Sequence, residues 1–423
     1  MAKKRVAKLS PIRKFFSALG PGVVTGAADD DPSGIATYSI AGAQLGTSLL
    51  WMAWLTWPLM AAVQMMCARI GMVTGLGLAQ ALHRKFPRPV VIVACYTLLI
   101  ANTINIAADL RGMADATELL TGFNSHISVL LFGCGITFAI IQFRYHQIAK
   151  VLKWLALSLF AYIITAFIIH PNWSLVARQA FTVSISNNSA TWATIVAVLG
   201  TTISPYLFFW QTAQEVEEQK AEGLLTIELR EGATKTEIID RVLDVGLGTF
   251  LSNIVMFFII LTAALTLNAH GLTNITTSKE AAEALRPLAG NLAMLLYTVG
   301  IVTVGLLAIP VLAGSAAYAF AETFNWHLGL DEKFKSAHYF YAVIIFSMLC
   351  GIALDFLSVN PVQALFWSAV VNGLLAPFLL IGIFMIGRDK KIMKSQPSSR
   401  INQIAVALTT VLMFGAAIGM FVF

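Results

Sequence analysis

The sequence has 423 residues, of which 57% are hydrophobic and 12% charged, and its mean hydropathy is +0.76. Soluble domains carry about 25% charged residues, so no water-soluble fold of this length could bury so much apolar surface. The net charge of +6 is spread over short stretches between apolar runs instead of forming one basic face. This pattern argues against nucleic acid as a partner and indicates a protein that resides in a lipid bilayer.

Eleven stretches are candidates for membrane spans, because a spanning helix needs about 20 mostly apolar residues. A basic segment, 1–15, precedes them. In chain order the candidate spans are 16–45, 48–75, 89–113, 127–143, 153–171, 191–216, 242–267, 291–324, 338–356, 361–387 and 402–423. The first, sixth and eighth spans are longer than one straight crossing requires.

The basic residues predict the orientation. With the N-terminus in the cytoplasm, 24 of the 28 Lys and Arg residues fall on the inner side. The outer side then keeps Arg111, Arg178, Lys279 and Arg286. Cytoplasmic loops of membrane proteins carry this excess of positive charge. We therefore expect a multi-pass protein of the plasma (cell inner) membrane, with a cytoplasmic N-terminus and an extracytoplasmic C-terminus.

The cysteines give no sign of a disulfide framework or a zinc site. Cys67, Cys95, Cys134 and Cys350 all fall inside apolar runs, and no pair has the spacing of metal ligands. We also expect no cleavable signal peptide, because the apolar pattern continues past 15–24 without a small-residue cleavage site.

The first span contains three consecutive aspartates, Asp29 to Asp31, followed by Pro32 and Gly34. A charge at the bilayer centre costs about 3 kcal/mol on insertion scales, and proline and glycine both disfavour a continuous helix. We expect an unwound segment between two half-helices, where freed carbonyl oxygens beside a carboxylate form a cation site. The alternative is that the aspartates only cap helix ends or pair with a base.

The sixth span repeats this device, because Thr201, Thr202 and Ser204 lead into Pro205 in an apolar run. Interrupted helices at corresponding positions of two halves point to a transporter binding site. We predict an all-α polytopic membrane protein of 11 transmembrane helices. Two five-helix repeats of inverted topology would occupy 16–171 and 191–387, and 402–423 would be the eleventh helix.

Several segments carry a family resemblance: Gly20-Pro21-Gly22, Asp31-Pro32, Ala41-Gly42-Ala43, Leu49-Leu50-Trp51, Ala313-Gly314-Ser315, Glu322 and Pro377. They resemble the NRAMP family (natural resistance-associated macrophage proteins) of divalent-cation transporters, in order and helix count over nearly the whole chain. The resemblance implies a LeuT-type fold with broken helices 1 and 6, alternating access and a monomer. It implies a transporter, not an enzyme, with a divalent metal ion as substrate and no cofactor.

Two departures from the family concern the ion site. The family's Asp-Pro-Gly-Asn reads Asp31-Pro32-Ser33-Gly34 here, and its Met-Pro-His reads Ser204-Pro205-Tyr206. A thioether favours transition metals, so Ser204 leaves only oxygen ligands, and Gly34 removes an amide and widens the site. A wide all-oxygen site suits Mg²⁺, which keeps several waters. We therefore expect Mg²⁺, as in a divergent NRAMP-related magnesium-transporter branch, with Mn²⁺ as a second candidate.

The expected site follows from these matches and departures. Its metal-binding residues are Asp31, Ala28, Gly34, Thr201 and Ser204. Secondary candidates are Asp30, Thr202, Asp109, Asn372 and Tyr206.

Further departures concern proton movement. The family's third-helix Thr-Asp-x-Ala-Glu aligns with 105–109, so that its aspartate is Ile106 and its glutamate Asp109. A tenth-helix glutamine aligns with Ala369, one turn before Asn372, and the ninth span has no arginine. Because Tyr206 is a poor proton relay at neutral pH, we expect weak or absent proton coupling. Asp109 could still carry a proton, alone or paired with Arg111.

Other functions stay open at this point. One is a proton-coupled Mn²⁺/Fe²⁺ symporter, as in the parent family. Another is a sodium-coupled symporter for an organic solute, since broken first and sixth helices also occur there. A channel is a further possibility that slow, saturating flux would exclude. An enzyme is not expected, because no nucleophile–base pair or metal-ligand cluster appears.

Overall fold

The computed structural model describes residues 21–143, 159–186, 188–357 and 360–423. In chain order its α-helices are α1 (Pro21–Asp29), α2 (Pro32–Leu45), α3 (Trp51–Thr74), α4 (Leu78–His83), α5 (Arg88–Thr121), α6 (Ser125–Gln142), α7 (Phe160–Ile168), α8 (Trp173–Ala180), α9 (Ser189–Thr202), α10 (Pro205–Ala221), α11 (Ile227–Arg230), α12 (Lys235–Thr266), α13 (Ser278–Ala282), α14 (Arg286–Ala289), α15 (Ala293–Phe324), α16 (His338–Leu354), α17 (Pro361–Gly387) and α18 (Arg400–Val422). Short 3₁₀ turns occur at Gly46–Leu49, Asn268–His270, Glu283–Leu285, Gly290–Leu292 and Asp355–Leu357.

The all-helical membrane architecture is confirmed. Within the described residues, 8 helical stretches are long and apolar enough to cross a membrane, or up to 9 if the pair Pro32–Leu49 and Trp51–Thr74, bent by 108°, is one span. The count of eleven stays a prediction, as do the domain boundaries. The predicted span 153–171 is described only from residue 159, and the basic segment 1–15 lies outside the described residues.

Two helices extend beyond their predicted bounds. α5 continues to Thr121 and ends where Gly122 adopts φ 74°, a left-handed conformation that glycine reaches without strain. Arg111, which the sequence analysis assigned to the outer side, lies inside this helix. α12 begins at Lys235 because Thr234 and Glu237 form a capping box, in which each side chain bonds the other residue's backbone N–H.

Close approach of helix backbones holds the centre of the protein together. A Cβ atom added at Gly26 of α1 would overlap the carbonyl group of Gly248 in α12. One added at Gly200 of α9 would overlap the carbonyl oxygen of Ala369 in α17. Small residues allow such contacts between membrane helices. Both halves of the first and sixth spans are thus packed tightly into the interior.

The outer surface is apolar. Leu131 and Phe138 of α6 and Phe378 of α17 are each more than 60% exposed. A surface of this kind is suited to lipid contact, whereas the polar side chains discussed below are buried.

Candidate functional site

The first broken helix is interrupted at Asp30 and Asp31. α1 ends at Asp29, and α2 restarts at Pro32, whose missing N–H costs nothing at a helix start. Asp31 has an extended backbone (φ −70°, ψ 172°) and caps α2. Its Oδ1 accepts hydrogen bonds from the Gly34 backbone N–H at 2.7 Å and the Ser33 hydroxyl at 2.6 Å. The predicted break is present, and Asp31 is a capping residue within it.

The second broken helix is interrupted at Ile203 and Ser204. α9 ends at Thr202, the backbone becomes extended at Ser204 (φ −78°, ψ 134°), and α10 begins at Pro205. The Ser204 hydroxyl donates within its own break, with the carbonyl oxygens of Gly200 and Thr201 both 2.7 Å away. A hydroxyl that donates to its own backbone keeps its oxygen lone pairs available to a cation.

The two breaks face each other. The Tyr206 hydroxyl donates to the main-chain oxygen of Ala28 at 3.1 Å and lies 3.5 Å from Asp31 Oδ2. A Cβ added at Gly34 would lie 3.1 Å from the Thr201 hydroxyl oxygen. The structure therefore brings Asp31, Ala28, Gly34, Thr201 and Tyr206 together from four half-helices.

The other predicted candidates have different surroundings. Thr202 contacts the Tyr38 hydroxyl at 3.1 Å and donates to the carbonyl oxygen of its own helix at Val198. Asn372 of α17 is buried, and neither amide atom has a hydrogen-bond partner among the described residues. Its participation in the site stays a prediction.

Asp30 shares a donor with Asp29. The Ser252 hydroxyl of α12 lies 2.7 Å from Asp29 Oδ2 and 3.2 Å from Asp30 Oδ1. Both carboxylates therefore face α12, while Asp31 faces α5 and α10. No salt bridge joins any of the three aspartates to a basic residue in the described part of the chain.

Asp109 of α5 is buried and approaches the site from the side. Asp31 interacts with it electrostatically, and the Ser33 backbone is directed at its carboxylate. Arg111, the possible partner that the sequence offered, instead pairs with Asp355 at 2.6 Å, and His126 bonds the same carboxylate at 2.6 Å. An Asp109–Arg111 pair is therefore absent.

Sequence reasoning missed two residues. The Asn105 amide of α5 donates to Asp31 Oδ2 at 3.1 Å. The Ser252 hydroxyl lies within hydrogen-bond distance of Asp29 and Asp30. A signal for Asn105 existed, because a carboxamide four residues before Asp109 in an apolar span lies on the same helix face. Ser252 carried no comparable signal, since serine is common in membrane helices.

The donor set consists of oxygens. Among the residues that the structure describes, no three His, Cys, Asp or Glu side chains converge in a way that could hold a metal ion. The groups that face each other across the two breaks are the Asp31 carboxylate, hydroxyls, a carboxamide and main-chain carbonyls. Hard cations such as Mg²⁺ and Ca²⁺ use these ligands, and Mn²⁺ accepts them.

The site is closed on both sides. Ala28, Asp31, Thr201, Ser204 and Tyr206 are all at most 1% exposed. An ion bound between the breaks would be shielded from water, and its entry or exit requires a helix to move. This arrangement fits alternating access around a central site.

The family model described as "Natural resistance-associated macrophage protein-like" matches residues 22–423. A divalent metal cation transporter MntH of Yersinia pestis (strain Pestoides F) is 28% identical over 305 residues, 70% of each chain. MntH of Caldanaerobacter subterraneus subsp. tengcongensis is 25% identical over 417 residues, covering 96% of this chain and 93% of that protein.

Two solved structures show the fold. The Eremococcus coleocola manganese transporter, in complex with an aromatic bis-isothiourea substituted compound, superposes with a TM-score of 0.77 at 16% identity, covering 97% of this chain and 87% of that one. Mhp1, a nucleobase-cation-symport-1 family transporter, has a TM-score of 0.54 at 15% identity, with coverages of 95% and 90%. The predicted LeuT-type fold is confirmed.

Proposed function

This chain belongs to the natural resistance-associated macrophage protein family, and on that premise we propose that it carries divalent cations across a membrane, with Mg²⁺ as the preferred ion. The observation that carries the proposal is that the candidate ligand atoms near Asp31, between two broken helices, are all oxygens. The curated relatives are divalent metal cation transporters, which supports the broader class. The preference for Mg²⁺ rests on the chemistry of the site.

Ser204 is the basis for Mg²⁺. Ser204 offers a hydroxyl where the family offers a thioether, so an ion at this break meets no soft ligand from that position. Mg²⁺ gains nothing from a thioether, whereas Mn²⁺ and Fe²⁺ lose a favourable contact. With the Asp31 carboxylate and otherwise neutral oxygen atoms, the site suits a hard divalent cation.

We further propose that proton coupling is weak or absent. The Tyr206 hydroxyl, in place of a family histidine, donates to the Ala28 main-chain oxygen and so acts as a structural donor. The membrane potential can drive the ion instead, since it supplies about 2.3 kcal/mol per charge per 100 mV, or about 4.6 kcal/mol for a divalent ion. Asp109 is the acid that would carry a proton if coupling were found.

The same proposal includes the cellular setting. We propose a monomer in the plasma membrane, with the N-terminus in the cytoplasm and the C-terminus outside. The distribution of basic residues supports this orientation. Reporter fusions at the C-terminus test it: an extracytoplasmic enzyme reporter is expected to be active, and activity of a cytoplasmic reporter there would reverse the topology.

Binding of Mg²⁺ to the purified protein tests the proposed function. Titration calorimetry is expected to give saturable Mg²⁺ binding that Asp31→Asn abolishes. Asparagine is chosen because it keeps a capping oxygen for the Gly34 N–H while removing the charge, so the helix start is preserved. Asp389→Asn, at the exposed Lys85–Asp389 pair, is the matched control. Equal Mg²⁺ affinity in wild type and Asp31→Asn would refute the site.

A further inference from the structure

Asp31 has one carboxylate oxygen left for an ion. Its Oδ1 already accepts two hydrogen bonds, from the Gly34 N–H and the Ser33 hydroxyl, both within 2.7 Å. These bonds start α2 and would be costly to give up. The other oxygen, Oδ2, has longer contacts at 3.1 Å to Asn105 and 3.5 Å to Tyr206. An incoming cation therefore meets Oδ2, and Asn105 is the side chain in closest contact with it.

The amide of Asn105 is only half satisfied. Its Nδ2 donates to Asp31, but its Oδ1 has no hydrogen-bond partner among the described residues, although the side chain is fully buried. Leaving a buried acceptor unpaired is destabilising. A carboxylate can only accept, so the amide presents its nitrogen to Asp31. The orientation that lets Nδ2 bond Asp31 leaves Oδ1 unpaired.

We infer that Asn105 is a second cation-contacting residue that turns its amide when the ion arrives. This inference rests on the proposed cation site at Asp31 and names an additional ligand for it. Without a bound cation, the amide N–H₂ donates to Asp31 Oδ2. With a cation beside Oδ2, rotation about the last side-chain bond directs Oδ1 to the ion, and the two oxygens bind it together. An amide oxygen is a common ligand of hard divalent cations.

The position of Gly34 explains why an amide would come from α5. A Cβ added there would lie 3.1 Å from the Thr201 hydroxyl and 3.5 Å from Asp31 Oδ1, so a side chain at this position would require Thr201 or α2 to shift. α2 thus contributes no amide side chain to the site, and α5 contributes that of Asn105. The site keeps one carboxylate and one carboxamide, both oxygen donors.

Three substitutions at Asn105 separate ion contact from a structural role. Asn105→Leu keeps the volume and removes both polar atoms. We expect it to weaken Mg²⁺ binding about tenfold, or about 1.4 kcal/mol. Asn105→Asp supplies an anionic oxygen to the ion but repels Asp31 in the empty site. If Asn105 contacts the ion, Asn105→Asp binds Mg²⁺ at least as tightly as wild type; if Asn105 only supports Asp31, it binds as poorly as Asn105→Leu or worse. If Asn105→Asp does not fold, Asn105→Ser replaces it in the comparison. Because serine supplies a small hydroxyl, the Mg²⁺ affinity of Asn105→Ser is expected to lie between those of wild type and Asn105→Leu.

The matched control is Asn102→Leu on the same helix. Asn102 is also a buried amide, but its Nδ2 bonds Leu312 and Ser315 of α15 and not Asp31. This variant is expected to lower the melting temperature while leaving Mg²⁺ affinity within about twofold of wild type. Loss of affinity equal to that of Asn105→Leu would overturn the inference. If wild type binds Mn²⁺ and not Mg²⁺, the Mg²⁺ preference fails, but the same ratios of variant to wild type, measured with Mn²⁺, still decide the role of Asn105.

Discussion

The backbone N–H of Gly22, at the start of α1, donates a 2.8 Å hydrogen bond to the Asp244 carboxylate of α12. Asp244 also pairs with Arg241 at 2.7 Å, and Arg241 in turn pairs with Glu215 of α10 at 2.9 Å and with Glu218. One cluster thus joins α1 and α10 to α12. The side of the site on which this cluster lies is called the α1 side. We expect this side to open by separation of α1 from α12, a movement that the Arg241 cluster would oppose.

Removing Arg241 is expected to open the α1 side of the site. Arg241→Gln leaves Glu215 and Asp244 without their base, and a buried charge that loses its partner is strongly destabilising. We expect a cysteine placed at Thr25, which is 1% exposed, to react at least tenfold faster with a polar thiol reagent, measured in detergent on a background without native cysteines. Lys85→Gln, which breaks the exposed pair with Asp389, makes the same charge change and is expected to have no effect. Equal rates in both variants would mean that the cluster does not keep α1 closed.

Filling the space at Gly34 is expected to weaken ion binding. Gly34→Ala places a Cβ 3.1 Å from the Thr201 hydroxyl, so Thr201 or α2 must shift by a few tenths of an ångström. We expect the apparent Mg²⁺ affinity to fall about fivefold, or about 1 kcal/mol, in a titration of the purified protein. Gly135→Ala, in α6, meets open space and is the control. Unchanged affinity in Gly34→Ala would show that the ion does not lie between the two breaks at this level.

Removing the Tyr206 hydroxyl is expected to leave the pH dependence of transport unchanged. Tyr206→Phe deletes one hydrogen bond to the Ala28 carbonyl, worth about 1 kcal/mol, so apparent affinity should change by about fivefold or less. The rate of ion uptake between pH 6 and about 8 should keep its shape, because the hydroxyl stays protonated there. A pH profile that flattens only in Tyr206→Phe would assign Tyr206 a part in proton movement.

Ser252 is expected to matter for stability. Ser252→Ala removes the hydroxyl that lies 2.7 Å from Asp29 and 3.2 Å from Asp30, and leaves two buried carboxylates without this donor. The expected cost is about 1–3 kcal/mol, seen as a lower melting temperature in detergent. Ser347→Ala is the control, because that hydroxyl bonds only the Val343 carbonyl of its own helix. Equal melting temperatures would indicate that the two carboxylates are satisfied by other groups.

The helix breaks were predictable because their causes are local. Pro32 and Pro205 each start a helix, and Asp31 supplies the cap, so a few neighbouring residues determine both interruptions. The contact between Asn105 and Asp31 was not predictable in this way, since it joins residues 74 positions apart and depends on how α5 packs against α2.

Helical phase determines which of two adjacent hydroxyls faces the ion site. Thr201 and Thr202 differ by about 100° around α9, and the structure directs Thr201 toward Gly34 and Thr202 toward Tyr38. A sequence pattern places both in the break but does not separate them. The pairing of Arg111 with Asp355 was likewise not predictable from local sequence, because it joins residues 244 positions apart.

Uptake of Mg²⁺ and Mn²⁺ into proteoliposomes, under an imposed inside-negative potential and with internal pH followed by a dye, tests the central claim most directly. The account predicts Mg²⁺ uptake that saturates, disappears in Asp31→Asn and leaves the internal pH unchanged. Uptake of Mn²⁺ that excludes Mg²⁺ and acidifies the interior would contradict it, and would mean that groups other than Ser204 and Tyr206 perform the functions of the family's methionine and histidine.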